Sequence, residues 1–258
     1  MRLPFITALC PTYRHPELLA NSLALWLLQH YPLDRRLLLI LDDGGTFADC
    51  AGVGPPWSLR SESARAPSLP AKYNRLLAMA RQWCPWSDAY LVWEDDDIYL
   101  PGYVSAHARC LADHEVSKPV TVLGDYTGAL VGEVAEGRFH SSLGFRRELI
   151  ERIGGWPDTK RADFDQQLIA RLNEATHTER GETWVMPSES QFIYSWHTGA
   201  AHGQHTMRSP DDETWYDRAP EVFAPVPHVG RLEPKLDERT KRRFAELGLR
   251  TEAIGVRR

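Results

Sequence analysis

The stretch that decides the fold is Ala89-Tyr90-Leu91-Val92-Trp93-Glu94-Asp95-Asp96-Asp97-Ile98. An apolar, strand-prone run predicts a buried β-strand, and it ends in four consecutive carboxylates. Adjacent carboxylates cannot all ionise cheaply in a compact loop, so we predict a divalent cation among them. Hard oxygen ligands favour magnesium or manganese. The alternative interpretation is a solvated acidic turn that also caps the following helix.

The overall composition sets limits on the class of protein. The chain has 258 residues, 43% hydrophobic and 25% charged, which is typical of one large α/β domain or two small ones. Its net charge of -5 gives no basic footprint for nucleic acid. The four cysteines have no paired spacing, which indicates neither a zinc site nor a disulfide framework. We expect a cytoplasmic protein without an integral membrane segment.

The first part of the chain predicts a strand, a helix and a second strand. Leu3 to Cys10 is apolar, Glu17 to Gln29 has helical spacing, and Arg36 to Leu41 is a continuous apolar run followed by Asp42-Asp43-Gly44-Gly45. Such a βαβ opening delivers polar groups to the carboxyl edge of a parallel sheet. Residues 46–70 are rich in Pro, Gly, Ser and Ala and predict an irregular loop.

Two later segments carry candidate functional residues. Asp163 and Asp165 lie at the start of a predicted helix, where the helix dipole favours negative charge. Capping explains one of them, so we predict a functional role for the second. A late strand at 191–196 leads into a histidine-rich loop that includes His197 and His202, which suit a metal-ligand or acceptor-binding role.

Two further segments have a predicted structure without a predicted role. Phe139 to Phe145 is strand-like. From Glu233 onward the sequence predicts a solvated amphipathic helix.

Four motifs occur along the chain in an order shared with one known family. They are residues 6–14 with Pro11-Thr12-Tyr13-Arg14, then Leu41-Asp42-Asp43-Gly44, then Trp93-Glu94-Asp95-Asp96-Asp97, and finally Ile153-Gly154-Gly155-Trp156 through Ala162-Asp163-Phe164-Asp165. Over roughly residues 3–205 the chain resembles the nucleotide-sugar glycosyltransferases of the GT-A fold, in particular the family 2-like inverting enzymes.

This resemblance implies an α/β fold with a Rossmann-like, mostly parallel central sheet flanked by helices. It implies a single domain over residues 1–230 with a C-terminal helical tail over 231–258. Within the domain, residues of about 1–100 would form the nucleotide-binding half and residues of about 101–230 the acceptor half.

The implied activity is metal-dependent, inverting transfer of a sugar from a nucleoside diphosphate-sugar to a hydroxyl acceptor. UDP is the implied nucleotide, Mn²⁺ or Mg²⁺ the implied cofactor, and the acceptor a glycan, lipid carrier, protein or modified nucleobase. The implied donor-nucleotide contacts are Pro11, Thr12, Arg14, Asp42, Asp43, Lys72, Glu94 and Asp95. The implied metal ligands are Asp96 and Asp97, completed by His202 or His197.

The implied general base is Asp163. The acidic residue that usually precedes the base is Ala162 here, so Asp165 is kept as a second candidate. Two other positions depart from the family pattern, because Arg14 replaces the usual Asn and Glu94 replaces the first Asp of the acidic motif.

Two other functions are compatible with such a sheet. A sugar nucleotidyltransferase would need a glycine-rich, basic first loop to cradle a triphosphate, and the sequence has none. A non-catalytic module that binds nucleotide-sugar or carbohydrate is favoured by Ala162, but the intact acidic motif argues against it.

Overall fold

The structure is a computed structural model and describes residues 2–47, 56–126, 129–135, 138–195, 213–214, 216 and 232–250. Its strands are β1 (Ile6–Thr12), β2 (Arg36–Asp42), β3 (Trp57–Ser61), β4 (Ala89–Val92), β5 (Ile98–Tyr99), β6 (Val116–Lys118), β7 (Thr121–Tyr126), β8 (Ala129–Val134), β9 (Gly144–Arg146), β10 (Gly181–Glu182) and β11 (Phe192–Ser195). Its α-helices are α1 (Pro16–Leu27), α2 (Leu69–Trp83), α3 (Tyr103–Asp113), α4 (Arg147–Arg152), α5 (Phe164–Ala175) and α6 (Glu238–Glu246). Short 3₁₀ turns occupy Leu33–Arg35, His140–Ser142 and Pro187–Glu189.

Seven strands form a mostly parallel sheet in the order β10-β6-β9-β4-β1-β2-β3. β1 is parallel to both β2 and β4, and β2 is parallel to β3, whereas β9 runs antiparallel to β4 and β6. Every residue of β1, β2 and β4 is buried, as expected of strands covered on both faces. The register places Thr12 beside Asp42, so the ends of these strands bring their polar groups to one edge.

Successive side chains of a strand point to opposite faces of the sheet. The apolar strands of this sheet therefore pack against helices on both faces. Ile6 and Ala8 of β1 belong to a core cluster with Trp26 of α1. The next residue, Leu9, belongs to a second cluster with Leu76 of α2. The predicted α/β layering is therefore confirmed.

The acidic motif lies between two sheets. β4 ends at Val92 in the large sheet, and β5 starts at Ile98 in a smaller sheet of order β5-β11-β7-β8. The Trp93 ring stacks on the Tyr99 ring with centroids 3.7 Å apart and planes 15° apart. Trp93 precedes the four carboxylates and Tyr99 follows them. This buried aromatic pair thus anchors the segment that connects the two sheets.

Two local predictions are wrong. Residues 46–70 contain β3, which forms the edge of the large sheet beside β2. Phe139 to Phe145 is not one strand, because Phe139 has a left-handed backbone with φ of 57° and a 3₁₀ turn follows it before β9. The buried Lys118 Nζ stabilises that turn by donating to Phe139 O at 3.0 Å and to Ser142 Oγ at 3.1 Å.

The C-terminal helix α6 is anchored to the core, and only its outer face fits the predicted solvated helix. Phe244 is fully buried in the cluster that covers α1. Asn21 Nδ2 donates to Thr240 Oγ1 at 3.0 Å, and Arg239 Nε donates to Asp125 Oδ2 at 2.7 Å. The predicted amphipathic helix is present, and its apolar side packs into the same core cluster as α1.

We expect Phe244→Ala to lower the free energy of unfolding by about 3–5 kcal/mol, because it removes a fully buried ring and leaves a cavity. Denaturant unfolding of the full chain measures this loss. Leu247→Ala is the control, since Leu247 ends the same helix and is 38% exposed, and it should cost well under that amount. Equal losses would contradict the anchoring of α6.

Candidate functional site

Three carboxylates of the acidic motif converge. Oxygen atoms of Glu94, Asp96 and Asp97 all lie within 4.8 Å of one another, with Asp97 buried and the other two partly buried. Three converging carboxylates offer the hard oxygen ligands that magnesium and manganese prefer. The residues therefore fit a divalent cation.

Asp97 is the most deeply buried carboxylate of the cluster. Its Oδ1 accepts a hydrogen bond from Ser195 N at 2.8 Å, while its buried Oδ2 has no hydrogen-bond partner of normal geometry among the described residues. Burial raises the pKa of the Asp97 carboxyl well above its usual range, and the charges of Asp96 and Glu94 raise it further. A bound cation would offset both effects.

The side chains of Tyr73 and His140 contact the carboxylate of Glu94. Tyr73 Oη donates to Glu94 Oε1 at 3.2 Å, and His140 Nδ1 lies 3.4 Å from the same oxygen. The Glu94 backbone N–H donates to Tyr99 Oη at 2.7 Å. The first acid of the motif is therefore oriented by residues from α2 and from the turn after Phe139.

Asp95 connects the motif to the end of β1. Thr12 Oγ1 donates to Asp95 Oδ2 at 2.5 Å, and His15 Nδ1 lies 3.7 Å from that oxygen. Asp95 is buried and is not part of the three-carboxylate cluster. The structure thus places two predicted donor contacts, Thr12 and Asp95, in direct contact with each other.

Asp42 and Asp43 were predicted to bind the nucleoside, and both make internal hydrogen bonds in this structure. Asp42 accepts from Gly44 N at 2.9 Å, Thr46 N at 2.7 Å and Ser61 Oγ at 2.7 Å. Those bonds fold the loop after β2 against β3.

Asp43 forms a buried ion pair with Lys72. The Lys72 Nζ lies 2.5 Å from Asp43 Oδ1 and also donates to Thr12 O. Asp43 Oδ2 accepts from Ala66 N at 2.9 Å. The pair therefore joins β1, the loop after β2 and α2 around the predicted donor pocket.

Two arginine side chains lie over the ring of Tyr13, in the loop after Thr12. Arg14 lies over the Tyr13 ring at 5.2 Å, and Arg65 lies over it at 4.6 Å. Arg14 has a φ of 57°, a left-handed conformation that costs a non-glycine residue conformational energy and that asparagine tolerates better. The predicted nucleotide loop therefore contains a strained backbone at Arg14.

The Gly-Gly-Trp turn is tied to α2. Gly155 has a φ of 95°, and a Cβ there would meet Asn74 Oδ1 at 2.4 Å. Trp156 N donates to Asn74 Oδ1 at 2.8 Å, and Asn74 Nδ2 donates to Trp156 O at 3.1 Å. Glycine is thus required by both backbone conformation and close approach.

The two candidate bases have different surroundings. Asp163 receives two hydrogen bonds from Arg161, at 3.0 Å and 2.9 Å, and one from Gln167 Nε2 at 2.7 Å. The Arg161 guanidinium holds the pKa of Asp163 below its usual value. The charge of Asp165 acts on His140, where it partly opposes the lowering of the pKa that burial causes.

Of the remaining predicted site residues, one lies within the described part of the chain and two lie outside it. Pro11 lies at the end of β1, beside Leu41 of β2. His197 and His202 lie outside the described residues. No sequence motif predicts a role for Tyr73, His140 or Arg65. The Gly-Gly-Trp motif points indirectly to His140, because its tryptophan donates a hydrogen bond to His140 Nε2.

No family model and no curated protein matches the sequence. Solved structures do match. TarS from S. aureus, residues 1–349 in complex with UDP-GlcNAc, has a TM-score of 0.58 at 15% identity, covering 79% of this chain and 61% of that one. The mannosyltransferase PcManGT from Pyrobaculum calidifontis, in complex with GDP-Man and Mn²⁺, has a TM-score of 0.55 at 17% identity, covering 84% and 68%.

The chain has the GT-A-like glycosyltransferase fold. A second TarS structure matches with a TM-score of 0.53 at 15% identity, covering 74% of this chain. This chain spans 36% and 61% of the length of the two TarS chains. Among the residues that the structure describes, no helix is long and apolar enough to cross a membrane.

Proposed function

We propose that this protein is a metal-dependent, inverting, family 2-like glycosyltransferase that moves a sugar from a nucleoside diphosphate-sugar to a hydroxyl acceptor. The observation that carries the proposal is the convergence of Glu94, Asp96 and Asp97 within 4.8 Å at the carboxyl end of β4. Ligands of open α/β sheets bind outside the carboxyl ends of the strands. The structural neighbours solved with UDP-GlcNAc and with GDP-Man support the same class of donor.

The donor site is proposed at the edge formed by the ends of β1, β2 and β4. Thr12, Lys72 and Asp95 are joined there by hydrogen bonds, and Arg14 and Arg65 add positive charge beside them. Cations in a partly dehydrated site favour a diphosphate. The proposed donor is a UDP-sugar, and the proposed acceptor is a hydroxyl of a glycan, lipid carrier, protein or modified nucleobase.

Asp96 and Asp97, with Glu94 beside them, are the proposed cation-binding carboxylates, for Mn²⁺ or Mg²⁺. When bound, such a cation stabilises negative charge on a departing diphosphate. The chain itself would hold the donor so that the acceptor oxygen reaches the anomeric carbon from the face opposite the diphosphate. One bond forms between the acceptor oxygen and the anomeric carbon as the bond from that carbon to the diphosphate breaks, which inverts the configuration.

Asp165 is the proposed general base that takes the acceptor proton. Two observations support it over Asp163. Its charge acts on His140, whose Nδ1 lies 3.4 Å from Glu94 Oε1. Asp163 has a lowered pKa and a carboxylate already engaged by Arg161, which makes it a weaker proton acceptor.

Calorimetric titration with nucleoside diphosphates and their sugars, with manganese and then with chelator, tests the proposal. We expect tight binding of one diphosphate only when manganese is present, followed by transfer to an acceptor with inverted anomeric configuration by NMR. Binding without turnover on any acceptor would support the non-catalytic module. No binding under either condition would contradict the proposed donor site.

A further inference from the structure

His140 lies between the Gly-Gly-Trp turn and the acidic motif. Trp156 Nε1 is 3.0 Å from His140 Nε2, and His140 Nδ1 is 3.4 Å from Glu94 Oε1, which is long for a hydrogen bond. The imidazole is 5% exposed, so water contributes little to its interactions. A chain of three side chains therefore connects residue 156 to the first acid of the motif.

The chemistry of Trp156 settles which imidazole nitrogen carries the proton. An indole N–H can only donate, so His140 Nε2 must accept and must be unprotonated. A neutral imidazole then carries its proton on Nδ1, the atom that faces Glu94.

The tryptophan is itself held firmly. Its ring stacks on the Tyr73 ring with centroids 4.6 Å apart and planes 8° apart. Its backbone makes the two hydrogen bonds with Asn74 described above. Because Tyr73 also donates to Glu94 Oε1, α2 supports both the Trp156 end and the Glu94 end of the chain of contacts.

We propose that His140 is a positioning residue for the cation site: fixed by Trp156 as the Nδ1–H tautomer, it donates to Glu94 and orients that carboxylate toward Asp96 and Asp97. The inference rests on the proposed metal-dependent function. Groups behind metal ligands typically alter metal affinity 10–100-fold by fixing ligand orientation. The Gly-Gly-Trp turn thereby acts on the metal site through His140.

Two variants of equal size test the role of the Nδ1 proton. His140→Asn places an amide N–H near the position of Nδ1, and His140→Leu places a methyl group there. Both leave Trp156 Nε1 without its acceptor, so both carry the same penalty for a buried unpaired donor. Any difference between them therefore reports the contact with Glu94.

We expect His140→Leu to bind Mn²⁺ about tenfold or more weakly than the natural chain, on the scale found for such groups. His140→Asn should stay within about threefold, as the retained donor requires. Calorimetry with Mn²⁺ alone measures both, and thermal unfolding checks that the two variants have matched stability. Equal manganese affinities for Asn and Leu would overturn the proposal.

The tautomer is measured independently of metal and activity. Long-range ¹H–¹⁵N spectra of the full chain with labelled histidine should show His140 protonated on Nδ1 and bare on Nε2, with His140→Asn identifying its signal. An Nε2–H tautomer or an imidazolium at neutral pH would overturn the proposal. If the natural chain binds no manganese, the proposed function loses its metal, and this spectrum alone decides the inference about His140.

Discussion

Asp96→Asn should lower kcat/KM for sugar transfer by about a hundredfold or more. The substitution removes one charged ligand from the Glu94, Asp96 and Asp97 cluster, and a bound metal stabilises transition-state charge by several kcal/mol, with 1.4 kcal/mol worth about tenfold. Transfer rates over a manganese titration measure the loss. Calorimetry of the same variant should show that the diphosphate no longer binds in a manganese-dependent way.

A control with the same charge change separates this effect from net charge. Asp34 has a side chain 80% exposed, outside the acidic motif. Asp34→Asn should transfer sugar at the natural rate. Full activity of Asp96→Asn would exclude Asp96 as a metal ligand and would favour the interpretation of the motif as a solvated acidic turn.

Asp165→Asn should lower kcat by about 10²–10⁴-fold, the usual contribution of a general base. Donor binding should stay unchanged, because the amide keeps the size of the side chain and Asp165 lies outside the three-carboxylate cluster. Single-turnover transfer with saturating donor and manganese measures the step. Asp163→Asn should lose less, since Asp163 is already engaged by Arg161 and Gln167.

The comparison between the two aspartates has a matched control on the same helix. Glu174 is exposed near the other end of α5, and Glu174→Gln should leave kcat unchanged. If Asp163→Asn loses more than Asp165→Asn, the base is Asp163, as the family resemblance implies. If neither loses activity, proton removal by this helix is excluded.

Much of the fold was predictable because its decisive signals are local. The continuous apolar runs of β1, β2 and β4 and the acids after them indicate a parallel sheet whose functional edge is at the carboxyl ends. β3 was missed because Trp57–Ser61 is a short run inside a Pro- and Gly-rich segment. Its strand structure depends on pairing with β2, which local composition does not reveal.

The site was harder to predict where distant residues decide the chemistry. The gathering of Glu94, Asp96 and Asp97 follows from adjacency, but Asp43 pairs with a lysine 29 residues away. His140 was missed because its role depends on Trp156 and Glu94, 16 and 46 residues distant. The roles of all these residues in donor and metal binding stay predictions.

The contact between α1 and α6 limits the order in which the chain can mature during synthesis. Asn21 and Thr240 are 219 residues apart, and Phe244 completes the same apolar cluster as Trp26. At a translation rate of about 5–20 residues per second, α1 emerges roughly 10–45 s before its partner helix. During that interval part of its apolar face has no native cover, so the packing of α1 is completed only after α6 has been synthesised.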